Sequence, residues 1–347
     1  MTTNTRARLI ALDWGTTRCR AYLMGDEGSV LAELHSALGS MVVSTRADAS
    51  GTPVVQMFEQ TFTDVCGEWL AEFPGIPVIA CGMVGSNHGW AEAAYRTVPA
   101  DLSAPGPGLT RVRTSEGVAV DIIPGLISKV GLPDVIRGEE TQVLGALAAA
   151  VRATDAPEEQ VVVLPGTHSK WVRVVGTIVT GFTTCMTGEL YALLTEDSTL
   201  SLLAARADQP DWEAFDKGLD VASSAAGSGG LLCTAFSART LVMTGALAPG
   251  QVEDYVSGLL IGHELAGIGA SWLAGYSGEV LLCGSTQLAE RYRRALVARG
   301  FKVNLASPEA AAVGMWHSAL AAGMVQERHA DAGATTSMTS TERSQQC

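Results

Sequence analysis

A carboxylate closes an apolar run at Asp13 and is followed, after Trp14, by Gly15, Thr16, Thr17 and Arg18. A turn of that composition exposes backbone N–H groups and hydroxyls, which suit phosphoryl oxygens, and the carboxylate can hold a hydrated magnesium ion. A second glycine-threonine turn, Gly166, Thr167, His168, Ser169 and Lys170, follows an apolar run in the other half of the chain. Its imidazole and ammonium suit a β- or γ-phosphate. Between the two lies RGEETQ at 137–142. There Glu139 or Glu140 can accept a hydroxyl proton during in-line attack, and the fork of Arg137 can grip a phosphoryl group or a substrate carboxylate. Ser86, Asn87, His88, Gly89, Trp90, Glu92 and Tyr95 crowd one glycine-broken loop, where polar donors beside one aromatic wall suit a sugar. Lastly, Gly284, Ser285 and Gln287 stand where an apolar strand meets a helix, a junction at which glycine lets a ligand come close to the backbone and the helix N-terminus supplies donors. Each motif alone has a plainer reading: a self-bonded hairpin, acidic residues complementing a helix dipole, a solvated lysine, a structural loop. Together they describe nucleotide-dependent phosphoryl transfer.

The elements that must position these residues follow from periodicity. Strands are expected at 9–12, 20–24 and 30–35 as an antiparallel meander, then a helix at 54–72 and a buried strand at 76–80. A helix from about 140 to 152 ends at the polar stretch TDAPEEQ, where a domain boundary is placed. Strands at 161–164, 171–175 and 178–184 then repeat the strand, turn, strand order of the beginning, which points to an internal duplication. A strand at 279–283, a helix at 287–299, a strand at 301–305 and a helix capped by Ser307 with Pro308 at its first position complete the reading. The divisions expected are 1–155 and 156–326, with the last helix packing back on the first domain and a disordered tail at 327–347. Thr187 and Glu189 in MTGELYALL read as helix caps, and His263 as a core residue.

Composition narrows the partners. The 347 residues are 47% apolar, enough for two domains with cores of their own. With 36 acidic against 23 basic residues the net charge is -13, which disfavours nucleic acid and anionic membranes. No leader or membrane-spanning run is visible, so a cytoplasmic location is expected. The seven cysteines are scattered without CxxC spacing and read as reduced thiols.

LIALDWGTTRCRAYL, PGTHSKWV and EVLLCGSTQLAERYRRAL resemble the two phosphate motifs and the adenosine motif of the sugar kinase, actin and chaperone superfamily. The likeness narrows to the 2-dehydro-3-deoxygalactonokinase family through CGMVGSNHGWAEAAY at 81–95, IRGEETQVLGAL at 136–147, LPGTHSKWV at 164–172, MTGELYALL at 186–194 and SGLLIGHEL at 257–265. It covers residues 9–323 and departs at Asn87 and His88, where the family is more basic; the second turn lacks the aspartate that many superfamily members carry, although PGTHSKW is usual for this family. The resemblance implies an α/β fold of two duplicated actin-like (ribonuclease H-like) domains with mixed sheets and the site in the cleft between them. It also implies ATP and Mg2+, a small sugar acid as acceptor, 2-dehydro-3-deoxy-D-galactonate phosphorylated at C6, and a monomer or homodimer. Three rivals remain at this level: another sugar kinase, an exopolyphosphatase-like phosphohydrolase, and a non-enzymatic sugar sensor or actin-like assembly protein.

Overall fold

Uninterrupted apolar stretches build strands covered on both faces, and helices with apolar stripes supply the cover. The computed structural model, which describes residues 6–104, 108–150 and 159–326, opens with β1 (Leu9–Trp14), β2 (Cys19–Met24) and β3 (Val30–Ser36) as the expected meander. Next come α1 (Ser40–Ser50), α2 (Val54–Glu72) and β4 (Val78–Cys81), which runs parallel to β1. Short strands follow: β5 (Arg96–Thr97), β6 (Ala100–Asp101), β7 (Thr110–Arg113), β8 (Ala119–Ile122), β9 (Leu126–Ser128) and β10 (Asp134–Ile136). They lead into α3 (Glu139–Ala150).

The second half begins with β11 (Gln160–Leu164), β12 (Ser169–Val175) and β13 (Ile178–Cys185). A helical stretch of α4 (Thr187–Glu196), α5 (Trp212–Ser223), α6 (Leu231–Thr234), α7 (Ser237–Met243) and α8 (Val252–Ser271) separates them from β14 (Val280–Leu282), α9 (Thr286–Val297), β15 (Val303–Leu305) and α10 (Ala310–Ala321).

The first large sheet has the order β3-β2-β1-β4-β8-β7, the second β15-β14-β11-β12-β13-β6, and β10-β9-β5 form a small third sheet. The fold is α/β, as expected. Reading outward from β1 and from β11, both large sheets have two antiparallel neighbours on one side and two parallel neighbours on the other. One strand crosses the expected boundary: β6, from the first half, pairs with β13 at the edge of the second sheet.

The closing helices are exchanged. From α3, Val143, Leu144 and Leu147 share a core with Val162, Val172 and Leu281 of the second sheet. From α10, Ala312, Met315 and Trp316 cover Leu9, Ala11 and Ile79 of the first. Where the two helices cross, a side chain on Gly145 would come 1.8 Å from the Ala310 carbonyl oxygen, and one on Gly314 would come 1.9 Å from that of Thr141. Backbone contact at the crossing therefore requires glycine on both helices.

α10 starts later than expected. The Ser307 hydroxyl accepts the Glu309 N–H at 3.2 Å and its carbonyl accepts Ala310 N–H at 3.1 Å, so Ser307 and Pro308 form a lead-in turn and the helix begins beyond it. The expected tail at 327–347 and most of the TDAPEEQ boundary lie outside the described residues. Among the described residues no helix is long and apolar enough to cross a membrane, and the described cysteines are free.

Candidate active site

Both glycine-threonine turns are hairpin tips held from behind by a helix start. In the first, Gly15 N–H donates to the Arg18 carbonyl at 2.9 Å and leaves Thr16, Thr17 and Arg18 exposed. The start of α1 donates back into the turn, Ser40 N–H to Gly15 O at 2.9 Å and Met41 N–H to Thr16 O at 3.1 Å. In the second, Gly166 and Thr167 reach the surface, and Glu189 N–H of α4 donates to Thr167 O at 2.8 Å. Gly39 and Gly188 occupy matching places: a Cβ on either would lie 2.3 Å from turn backbone.

Beneath the second turn sits Glu264 of α8, buried and without an ion-pair partner among the described residues. Its carboxylate accepts from Ser169 Oγ at 2.9 Å, Trp171 Nε1 at 2.6 Å, Tyr292 Oη at 2.7 Å and Thr187 Oγ1. Two expectations change as a result. Ser169 is fully buried and serves the turn's shape, not its exposed surface. Thr187 and Glu189 are not caps: Met186 occupies that position without a side-chain bond, and Glu189 pairs with the exposed His168. Glu264 was missed by the sequence reading, although a carboxylate inside the apolar run SGLLIGHEL was a usable signal. His263 bonds Thr234 Oγ1 at 2.7 Å, in keeping with its structural reading.

Asp13, near the end of β1, faces Arg20 across the hairpin at 4.0 Å. Burial pushes its carboxyl up, Arg20 pulls it down, and Glu139 pushes it up again. Gly82, just after β4, lies against the Trp14 carbonyl, and Gly138 lies against Gly82, so the first turn and the start of α3 are adjacent. The RGEE junction is then joined to the second turn by Lys170, whose buried ammonium is 3.6 Å from Glu139 Oε1.

The neighbouring carboxylates differ. Glu139 is partly exposed, and its other oxygen accepts Arg137 N–H at 2.9 Å. Glu140 is 3% exposed and accepts Gly138 N–H at 2.7 Å and Thr141 Oγ1 at 3.0 Å. Burial, with Glu139 beside it, raises the Glu140 carboxyl to about 7. Arg137 is buried alongside Ala93 and Tyr95.

In the loop after β4, Asn87, His88, Glu92 and Tyr95 are exposed, whereas Ser86 and Gly89 are buried. The aromatic wall expected from Trp90 is a core ring instead. It packs among Trp14, Phe58 and Phe62, because a ring that size gains more from burial in this apolar cluster than from half exposure.

Gly166, Thr167, Ser285 and Gln287 line one cavity of about 390 Å³, together with Tyr191, Ser257 and Arg291, which the sequence reading had not singled out. Gly284 is exposed directly beside it, its Cα facing Pro165 of the second turn. The second turn and the adenosine motif thus meet in one concavity.

Comparison with known proteins identifies the family. The family model described as 2-keto-3-deoxy-galactonokinase matches residues 13–318. A Rhizobium meliloti protein assigned as a 2-dehydro-3-deoxygalactonokinase is 36% identical over 299 residues, 84% of this chain and 90% of that one. The Escherichia coli 2-dehydro-3-deoxygalactonokinase is 35% identical over 308 residues, 88% of this chain and 94% of that one. A crystal structure from Sinorhizobium meliloti, assigned to the same activity, superposes with a TM-score of 0.75 at 33% identity, covering 90% of this chain and 99% of that one. Alike in sequence across most of its length and in fold across nearly all of it, the chain belongs to the 2-keto-3-deoxy-galactonokinase family.

Proposed function

We propose that the protein transfers the γ-phosphoryl group of ATP to the C6 hydroxyl of 2-dehydro-3-deoxy-D-galactonate, giving ADP and the 6-phosphorylated acid. The observation that carries this reading is the 3.6 Å contact of Lys170 with Glu139, which draws the second phosphate turn onto the carboxylates beside the first. The acceptor is the one named for the relatives.

Thr16, Thr17 and Arg18 meet the phosphate tail from one side, and Gly166, Thr167 and Lys170 from the other. Gly284, Ser285 and Gln287 border the adenosine. Asp13 fits a divalent cation: its carboxyl is raised by burial and its nearest cation is 4.0 Å away, so an added positive charge relieves it. Magnesium bound there would keep most of its waters and neutralise charge on the β- and γ-phosphates.

Glu139 is the base in this reading, since it is partly exposed and touches the phosphate-binding lysine, whereas Glu140 is buried and held within the α3 start. Glu139 takes the hydroxyl proton as the sugar oxygen bonds to γ-phosphorus and the bond to the β-phosphate oxygen breaks. The two large sheets, each with its covering helices, close about the α3–α10 crossing, so that the sugar hydroxyl outcompetes water.

The test is ADP release, coupled to NADH oxidation, with 2-keto-3-deoxygalactonate, 2-keto-3-deoxygluconate, neutral hexoses or no acceptor. Turnover that depends on a sugar acid is expected. A preference for neutral sugars, or phosphate release without an acceptor, refutes the proposal.

A further inference from the structure

Among the described residues, no ion pair balances the charge of Arg137. The residue is 8% exposed, its Nη2 donates to the Ala93 carbonyl at 2.7 Å, and the Tyr95 ring lies 4.2 Å from its Cζ. Its Nε and Nη1 are buried without partners. Among the described residues no carboxylate forms an ion pair with it; Glu139, the nearest in sequence, takes its backbone N–H and the Lys170 ammonium instead.

A guanidinium does not shed its proton in a protein, and an unpaired buried charge costs far more than a paired one. A chain with 36 Asp and Glu residues does not lack partners to offer. One residue away from its glycine neighbour is a second unused donor. A Cβ on Gly85 would stand 3.0 Å from Nη1, and the next residue, Ser86, is 6% exposed with an unpartnered hydroxyl.

We infer that Arg137 and Ser86 receive the carboxylate of the acceptor, and that preference for sugar acids over neutral sugars resides there; this rests on the kinase reading above. A carboxylate is planar and matches an edge of the guanidinium fork. Phosphate is the weaker candidate, because the Arg137 side chain joins the loop of Gly85, Ala93 and Tyr95 and not the glycine-threonine turns. The connection agrees as well: Glu139 accepts the Arg137 backbone N–H, so base and carboxylate receptor stand two residues apart, and an acid held at the guanidinium can extend its terminal hydroxyl toward Glu139.

The experiment compares kcat/KM for 2-keto-3-deoxygalactonate with that for its methyl ester, in the wild type, R137M, R137K and S86A. KM for ATP and the melting shift induced by the acid are read alongside. The wild type is expected to favour the acid by about a hundredfold or more. R137M should lose most of that ratio and the acid-induced melting shift, with KM for ATP within about twofold of wild type. Its own melting temperature should not fall, since a buried unpaired charge gives way to an apolar chain. R137K, which keeps the charge and loses the fork, and S86A should each give an intermediate ratio, and they decide the question if R137M does not fold. A ratio unchanged in R137M, or in both R137K and S86A, overturns the inference. A defect confined to KM for ATP would reassign Arg137 to phosphate and overturn it too. A wild type inactive on every sugar acid fails the kinase reading itself, a separate result.

Discussion

The two glycine-threonine turns share a scaffold and differ in the charge they offer. Each is a hairpin tip pressed by a glycine at a helix start, and each is followed by the parallel strand that borders it. Yet the inward position that holds Asp13 at the end of β1 is taken by the apolar Leu164 at the end of β11. The second turn contributes Lys170 instead and keeps its carboxylate, Glu264, underneath, fully engaged with four donors. One turn can thus carry a cation and the other an anion. Similar backbones leave the charge of each turn free to differ, and phosphoryl transfer needs both signs at once.

That contrast can be broken in several places. Asp13→Ala should reduce turnover to background while the far-ultraviolet circular dichroism stays that of wild type; near-normal activity would remove Asp13 from the cation site. Glu139→Gln should lower kcat by about 10²- to 10⁴-fold, and Glu140→Gln by no more than about tenfold, measured at saturating ATP and acid. The reverse order would transfer the base to Glu140. Glu264→Gln keeps the shape but turns an amide toward donors that need an acceptor. It should cost about 2–3 kcal/mol in denaturant unfolding and raise KM for ATP more than it lowers kcat, whereas an unchanged KM would mean that the second turn holds its form without Glu264.

The last effect is one of pH. The Glu140 carboxyl moves from an ordinary 4.5 to about 7 on folding, so between those values the folded chain binds the extra proton. Stability contributed in this way is present below the lower value and declines as pH rises through the window. Glu140→Gln has no such proton to lose, and its stability relative to wild type should grow by up to about 3 kcal/mol between pH 4 and 8. Parallel stability curves for the two proteins would contradict the shift.

Local signals carried much of this into the sequence. The meander, the span of α2 and the strand-glycine-helix order at Gly284 were legible, because alternation, helical spacing and turn chemistry act over a few residues, while the meeting of Gly166 with Ser285 was implied by the family resemblance alone. Contacts between distant segments were not. Nothing near Trp90 announces that Phe58 and Phe62 will enclose it, and nothing near Ser169 announces Glu264, which lies far along the chain. The insertion of β6 into the second sheet escaped for the same reason, since two residues pairing across such a separation leave no periodic trace. Glu139 and Glu140 read as equivalent because adjacent residues share composition but point to different surroundings on a helix.

The exchange of closing helices has a consequence for biosynthesis. A ribosome that has released the chain as far as α3 has made a complete first sheet, one face of which stays bare until α10, the last of the helices described, emerges. Nascent chains should therefore depend on holdase chaperones during elongation, and a stop codon just before Ala310 would leave an insoluble product even though every strand had been translated.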